Sequence, residues 1–171
     1  MIQPQTALIL IDFQNARLNK QSEYYVWEIK EMIDKTNYLI NYAREMNYKV
    51  IFTKHIENEW DFDERHISSH IIEDIQKAEN DTIINKYKIS PFYRTKMDES
   101  LYWIENVVVC GILTNLCVRS FVEWAYDRDL KIVIIKDCCK AFDQKTHDFT
   151  LEDLKQTRQE IDILDLEAFL E

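Results

Sequence analysis

Glycine is almost missing from this sequence. There is one, Gly111, where a 171-residue chain of ordinary usage carries about a dozen. Glycine-rich phosphate loops are thereby excluded, and a nucleotide-binding reading loses its main support. Turns must draw on Asn, Asp, Ser and Lys. The one glycine marks position 111 as a place where the backbone itself makes a demand. Long apolar runs are absent too: the run Ala7–Ile11 stops at Asp12, far short of the roughly 20 residues of a membrane span. No export leader is visible, so the expected location is the cytoplasm. Positive charge is scarce. Lys and Arg number 21 against 31 Asp and Glu, a net charge of -10, which argues against nucleic acid or an anionic membrane as partner. The acidity reads as a solubility feature. Cysteines are four, at 110, 117, 138 and 139, without the spacing of a zinc knuckle or a disulfide framework. Cys138 and Cys139 would point to opposite faces of an extended segment. In a reducing compartment all four are expected as free thiols.

What is present reads as one globular domain over residues 1–171, with 46% apolar and 30% charged residues. Strand-like runs fall at Thr6–Asp12, Lys49–Thr53, Asp81–Asn85, Asn106–Cys110, Lys131–Lys136 and Ile161–Leu164, the last as an edge strand. Helical patterns lie between them. Tyr24–Asn47 carries a stripe of Trp27, Ile29, Met32, Ile33, Tyr38, Leu39, Tyr42, Ala43 and Met46. His70–Lys77, Asp98–Trp103, Thr114–Asp129 and Thr146–Gln159 are further helical segments, and Glu57–Ser68 is an excursion loop. The charged runs Glu57–Arg65 and Glu152–Glu160 read as solvated faces. Continuous apolar strands separated by helices predict an α/β fold: a doubly wound three-layer sandwich on a mainly parallel six-stranded sheet.

Ligands of such sheets bind beyond the carboxyl ends of the strands. Asp12, His55, Lys86, Cys117 and Asp137 all fall at or just past such ends. Cys117, inside a predicted helix N-terminus, is either an activated nucleophile or a small buried hydrophobe. Asp12 is either a proton acceptor for a thiol or a loop hydrogen-bonder. Lys86 either stabilises a thiolate or is a solvated strand-end lysine, with Lys88 as its competitor. His55 and His66 are candidate metal ligands or acid/base groups, or simply face solvent.

Three segments carry a resemblance. Ala7-Leu-Ile-Leu-Ile-Asp12-Phe-Gln14-Asn15 resembles the first strand and aspartate of isochorismatase-like cysteine hydrolases. Lys86, with Ser90 and Phe92 following at four and six residues, is similar to the lysine segment of that family and selects Lys86 over Lys88. Val107-Val-Val-Cys-Gly111-Ile-Leu-Thr114-Asn-Leu-Cys117-Val118 is similar to its nucleophile segment. Asp137 and His147 fall in matching order. The resemblance implies a catalytic triad of Cys117, Asp12 and Lys86. It further implies an oxyanion hole from the backbone N–H groups of Leu113 and Cys117, and a cis peptide bond at Ile112–Leu113.

Two departures bear on substrate. Nicotinamidases of this family hold a metal through an aspartate and histidines after the second strand. Here Thr53-Lys54-His55 lacks the aspartate, so no metal and no other cofactor are expected. Arg17 stands where those enzymes place an aromatic residue. Arg17, His55 and Phe92 are the candidate substrate contacts, Arg17 as a partner for a substrate carboxylate or else a solvent-facing residue. The resemblance, with the cysteine retained, implies hydrolysis of a C–N bond in a small amide through a thioester. Vinyl-ether hydrolysis, nicotinamidase activity and a non-catalytic ligand-binding or redox role stand as alternatives. Aromatics such as Trp60, Phe62, Trp103 and Trp124 exceed what a small core hides, which predicts a homo-oligomer, a dimer or tetramer.

Overall fold

The computed structural model describes residues 5–58 and 60–171, without the side chain of Trp60. Six strands form one sheet: β1 (Thr6–Ile11), β2 (Lys49–His55), β3 (Thr82–Lys86), β4 (Asn106–Ile112), β5 (Lys131–Lys140) and β6 (Asp162–Leu164). Their order is β3-β2-β1-β4-β5-β6, and every pairing is parallel. Parallel strands are covered on both faces, which is why β1 reads as a continuous apolar run: Ala7 to Ile11 are all fully buried. The order reverses between β1 and β4, so the crevice for a ligand opens at their carboxyl ends.

Five helices cover the sheet: α1 (Lys30–Glu45), α2 (Met97–Ser100), α3 (Arg119–Tyr126), α4 (Gln144–Thr157) and α5 (Leu166–Leu170). α1 and α5 meet through Tyr42 and Phe169, whose ring centroids are 5.6 Å apart. α3 and α4 meet through Arg119 and Asp153 at 2.6 Å. α1 starts six residues later than the sequence pattern predicts. Its buried stripe is Met32, Ile33, Thr36, Leu39, Ile40 and Ala43, whereas Trp27, Tyr38 and Met46 are exposed. Bulky residues at the margin of the apolar face had widened the apparent stripe.

Other expectations are corrected. Residues 70–77 form no helix. Ile71 bridges antiparallel to Gln14, and the Ile72 N–H donates to the Phe13 carbonyl, so the start of this segment lies against the chain leaving β1. The chain then turns, the Ile75 N–H donating to the Ile72 carbonyl at 3.0 Å, and the burial of Ile72 and Ile75 three residues apart imitates a helix. β5 runs on to Lys140. Its register against β4 slips between Val109 and Gly111, so extra β5 residues bow outward there. Asp137 sits in that stretch and serves structure: one oxygen accepts the Leu166 N–H at 2.9 Å and the other pairs with Lys35 at 3.2 Å. Phe62 is buried rather than surplus, Trp103 and Trp124 are exposed, and Trp60 lies outside the described side chains. α5, absent from the sequence expectation, is capped by Asp165, which accepts the Ala168 N–H.

Candidate active site

Asp12 is the first residue past β1. Its backbone sits in the left-handed region at φ 53°, which Asp tolerates better than most residues. Such conformations persist where the surroundings over-determine them. Here β2 does so. The Asp12 N–H reaches the Thr53 carbonyl at 3.3 Å, and the Thr53 hydroxyl donates to Asp12 Oδ1 at 2.6 Å. The carboxylate is thereby fixed at the mouth of the switch point with no access to solvent.

Lys86 ends β3, two strands away from β1. Neighbouring strands are about 4.8 Å apart, so only a long side chain can cross β2 to reach Asp12. Lysine has that length. Its Nζ lies 2.8 Å from Asp12 Oδ2 and 3.2 Å from Cys117 Sγ, and it also meets His55 Nδ1 at 3.1 Å and the Lys88 carbonyl at 3.3 Å. Oδ2 is thus held by the ammonium, as Oδ1 is by the Thr53 hydroxyl.

Cys117 comes from the turn after β4. Residues Thr114–Val118 form a π turn before α3 begins, instead of one continuous helix. The Leu113 carbonyl accepts from Leu116 and Val118, at 3.1 and 3.2 Å, passing over the N–H of Cys117 between them. π turns of this kind recur at functional sites. Thr114 anchors the turn, its hydroxyl sharing a 2.8 Å hydrogen bond with His147 Nδ1 on α4. The Ile112–Leu113 peptide bond is cis. Gly111 adopts φ 143°, and a Cβ there would stand 2.4 Å from the Ile11 carbonyl oxygen. Asp12 and Lys86 are wholly buried, and Cys117 is buried with 7% of its surface exposed.

Electrostatics assign the resting charges. Burial pushes the Asp12 carboxyl up, but Lys86 and the Thr53 hydroxyl outweigh it, and the net direction is down: Asp12 is ionised. Burial pulls Lys86 down, but Asp12 and Cys117 outweigh it and hold the ammonium. The Cys117 thiol is pushed up to about 12, by burial first and then by the Asp12 charge, against the pull of Lys86. The pull of Lys86 does not suffice to lower this thiol. The turn is buried, and the carboxylate beside it opposes a second negative charge. The resting site is therefore a carboxylate–ammonium pair beside a neutral thiol.

Of the other sequence candidates, His55 is gathered into the site and held from both sides, by Lys86 at Nδ1 and by Glu57 at Nε2. Burial and then Lys86 hold it below its usual pKa, hence neutral. A cation could not share Nδ1 with an ammonium 3.1 Å away, and no group of three or more His, Cys, Asp or Glu stands at metal-binding separation among the described residues. The residues present do not fit the metal of the nicotinamidases. His66 turns to Ser68. Phe92 stacks on Phe121 at 5.4 Å with the Arg128 guanidinium 4.2 Å over its ring, so its described contacts lie on α3 and the turn after it. Arg17 is buried, not solvent-facing.

Sequence reading passed over Thr53, Gln14 and Glu57. Gln14 is fully buried, donating to the carbonyls of His55 and Ser69 and accepting from the His55 N–H, which ties the β1 exit to the β2 exit. Thr53 had a signal: it is the polar residue closing the apolar run Val50-Ile51-Phe52. Glu57 had none, being one acid in a charged stretch.

Residues 6–163 match the Isochorismatase domain family. Nicotinamidase 3 of Arabidopsis thaliana is 25% identical over 165 residues, covering 86% of this chain and 79% of that protein. The ureidoacrylate amidohydrolase RutB of Acinetobacter baylyi is 32% identical over 82 residues, 47% of this chain and 31% of its own. The crystal structure of an isochorismatase family protein from Desulfovibrio vulgaris superposes with a TM-score of 0.89 at 19% identity, over 97% of this chain and 96% of that one. With its strand order, its buried acid and its π-turn cysteine already in place, the chain belongs to the isochorismatase domain family.

Proposed function

We propose that the protein is a cysteine hydrolase that cleaves the C–N bond of a small amide through a thioester. One observation carries this reading: the Lys86 ammonium touches both Asp12 Oδ2 and Cys117 Sγ, which brings acid and sulfur to one cation.

Asp12 takes the S–H proton through Oδ2 as sulfur adds to the carbonyl carbon, so no free thiolate has to accumulate in a buried site. Lys86 faces the carboxylate before transfer and the sulfur during it, and compensates whichever is charged. The carbonyl oxygen becomes an oxyanion, received by the N–H groups of Leu113 and Cys117; one such donor is typically worth about 3–4 kcal/mol. The tetrahedral adduct collapses, the C–N bond breaks, and Asp12 returns its proton to the leaving nitrogen. Water then attacks the thioester, gives a proton to Asp12, and the sulfur leaves to be reprotonated. Amide and water become acid and amine. The relatives named for nicotinamide and ureidoacrylate hydrolysis support the amide class.

A panel of small amides, ureido acids and isochorismate, assayed with the protein and with Cys117→Ala, tests this. The expected result is amide turnover abolished by the substitution, with an acyl adduct on Cys117 detectable by mass spectrometry after rapid quench. Turnover that survives in Cys117→Ala sinks the nucleophile, and turnover of isochorismate alone sinks the amide chemistry.

A further inference from the structure

Arg17 ends the single 3-10 turn after β1, Asn15–Arg17, and is 4% exposed. Among the described residues its buried Nε and Nη1 have no hydrogen-bond partner and it forms no salt bridge. Its guanidinium carbon lies 5.3 Å from the Phe62 ring and 5.7 Å from the Tyr24 ring, which meet edge to face at 4.8 Å. Phe62 in turn packs edge-on against His55 at 5.2 Å, and His55 bonds to Lys86. Guanidinium, aromatic wall, imidazole, ammonium and thiol are thus contiguous.

The guanidinium has no carboxylate of its own among the described residues. Asp12 is paired with Lys86, and the Glu57 carboxylate is engaged by His55 Nε2. Burial lowers the pKa of Arg17, but an arginine keeps its proton in proteins. A charge removed from water is ordinarily paired and hydrogen-bonded, and unpaired N–H groups at such depth carry a penalty. The flanking rings hold the guanidinium plane but supply no acceptor in that plane. A carboxylate does, with the matching flat geometry and the opposite charge.

We infer that the substrate carries a carboxylate and that Arg17 receives it, so that the enzyme acts on small anionic amides. This rests on the hydrolase reading above and narrows its substrate class. Bound substrate would give the guanidinium a counter-charge in direct contact and the orphan N–H groups their acceptor. A neutral amide such as nicotinamide would leave both unmet.

Alkylation of Cys117 tests this without a turnover assay. The intact protein is treated with iodoacetate or iodoacetamide, the Cys117 peptide is quantified by mass spectrometry, and each rate is divided by that for glutathione. The normalised preference for the anionic reagent is expected to reach about tenfold or more. It should fall to about unity in Arg17→Met and survive in part in Arg17→Lys. As a check that needs no variant, malonate should protect Cys117 from iodoacetamide and malonamide should not. Labelling without charge preference, or protection by both competitors alike, overturns the anion site and leaves the hydrolase standing. If neither reagent labels Cys117, calorimetric titration of wild type and Arg17→Met with malonate and malonamide decides the matter: binding of malonate alone, lost in Arg17→Met, upholds the anion site, and no binding or equal binding of both overturns it.

Discussion

The Thr53 hydroxyl and Asp12 Oδ1 are 2.6 Å apart, across neighbouring strands and out of reach of water. This neutral donor is what the Lys86 ammonium does not supply, since Lys86 faces the other oxygen. Thr53→Val keeps the shape and deletes the donor. The Asp12 pKa should rise and carry the acid limb of kcat/KM upward with it. Folding free energy should drop by about 1–3 kcal/mol, the usual cost of a buried acceptor left unmet. A pH–rate profile and urea denaturation read both.

Lys86→Met should destabilise more. The buried carboxylate would lose its counter-charge, at a cost of about 3–5 kcal/mol near neutral pH. The pH dependence of wild-type stability follows from the two directions of shift. The folded pKa of Asp12 lies below its unfolded value, so its contribution is full above about pH 4 and fades as pH falls through the folded pKa. That of Lys86 lies above its unfolded value, so its contribution is full below about pH 10 and fades as pH rises through the folded pKa. Denaturation series across pH should show this plateau in wild type and lose the acid edge in Lys86→Met, whose Asp12 protonates instead.

With its thiol pushed up to about 12, Cys117 should show no thiolate absorbance in the ultraviolet at neutral pH. Turnover should stay flat from about pH 6 to about pH 9, because Asp12 is already ionised and the thiol still protonated across that range. An inflection near about 8.5, the value of an ordinary thiol, would mean a pre-formed thiolate and a different first step.

Gly111→Ala meets two obstacles. The backbone there, at φ 143°, is one that residues with a Cβ rarely adopt, and the new methyl would stand 2.6 Å from the Ile11 Cβ. Strain and overpacking together should cost about 2–5 kcal/mol, read as a large fall in the thermal midpoint.

His55→Gln should test the bridge between Glu57 and Lys86. Loss of the acceptor at Nδ1 frees the ammonium on one side, so kcat should fall by about tenfold while KM changes little. A purely supporting role for the ring would lower stability and leave kcat unmoved.

Much of this was legible beforehand because strand ends in a parallel sheet are fixed by local patterning. Asp12 and Lys86 each close an apolar run, and one glycine in the whole chain flagged the turn that presents Cys117. Conditions set by three-dimensional neighbours were not legible. Thr53 reaches Asp12 only because β1 and β2 pair in one particular register, with Ile11 opposite Thr53. Residues 70–77 read as a helix because periodicity cannot tell a short helix from a turn that buries two isoleucines three residues apart. The state of Cys117 stayed open between activated nucleophile and buried hydrophobe because a sequence does not show how deeply the sulfur is sunk. Arg17 showed its type but not that it would be enclosed.

On the proposed mechanism the reacting groups come from the exit of β1, the end of β3 and the turn after β4, so no single hairpin or fragment holds them together. Hydrolytic competence and global cooperativity should therefore rise and vanish as one transition. Residual activity in a partly denatured sample would measure the intact fraction directly, as a built-in sentinel of the sheet.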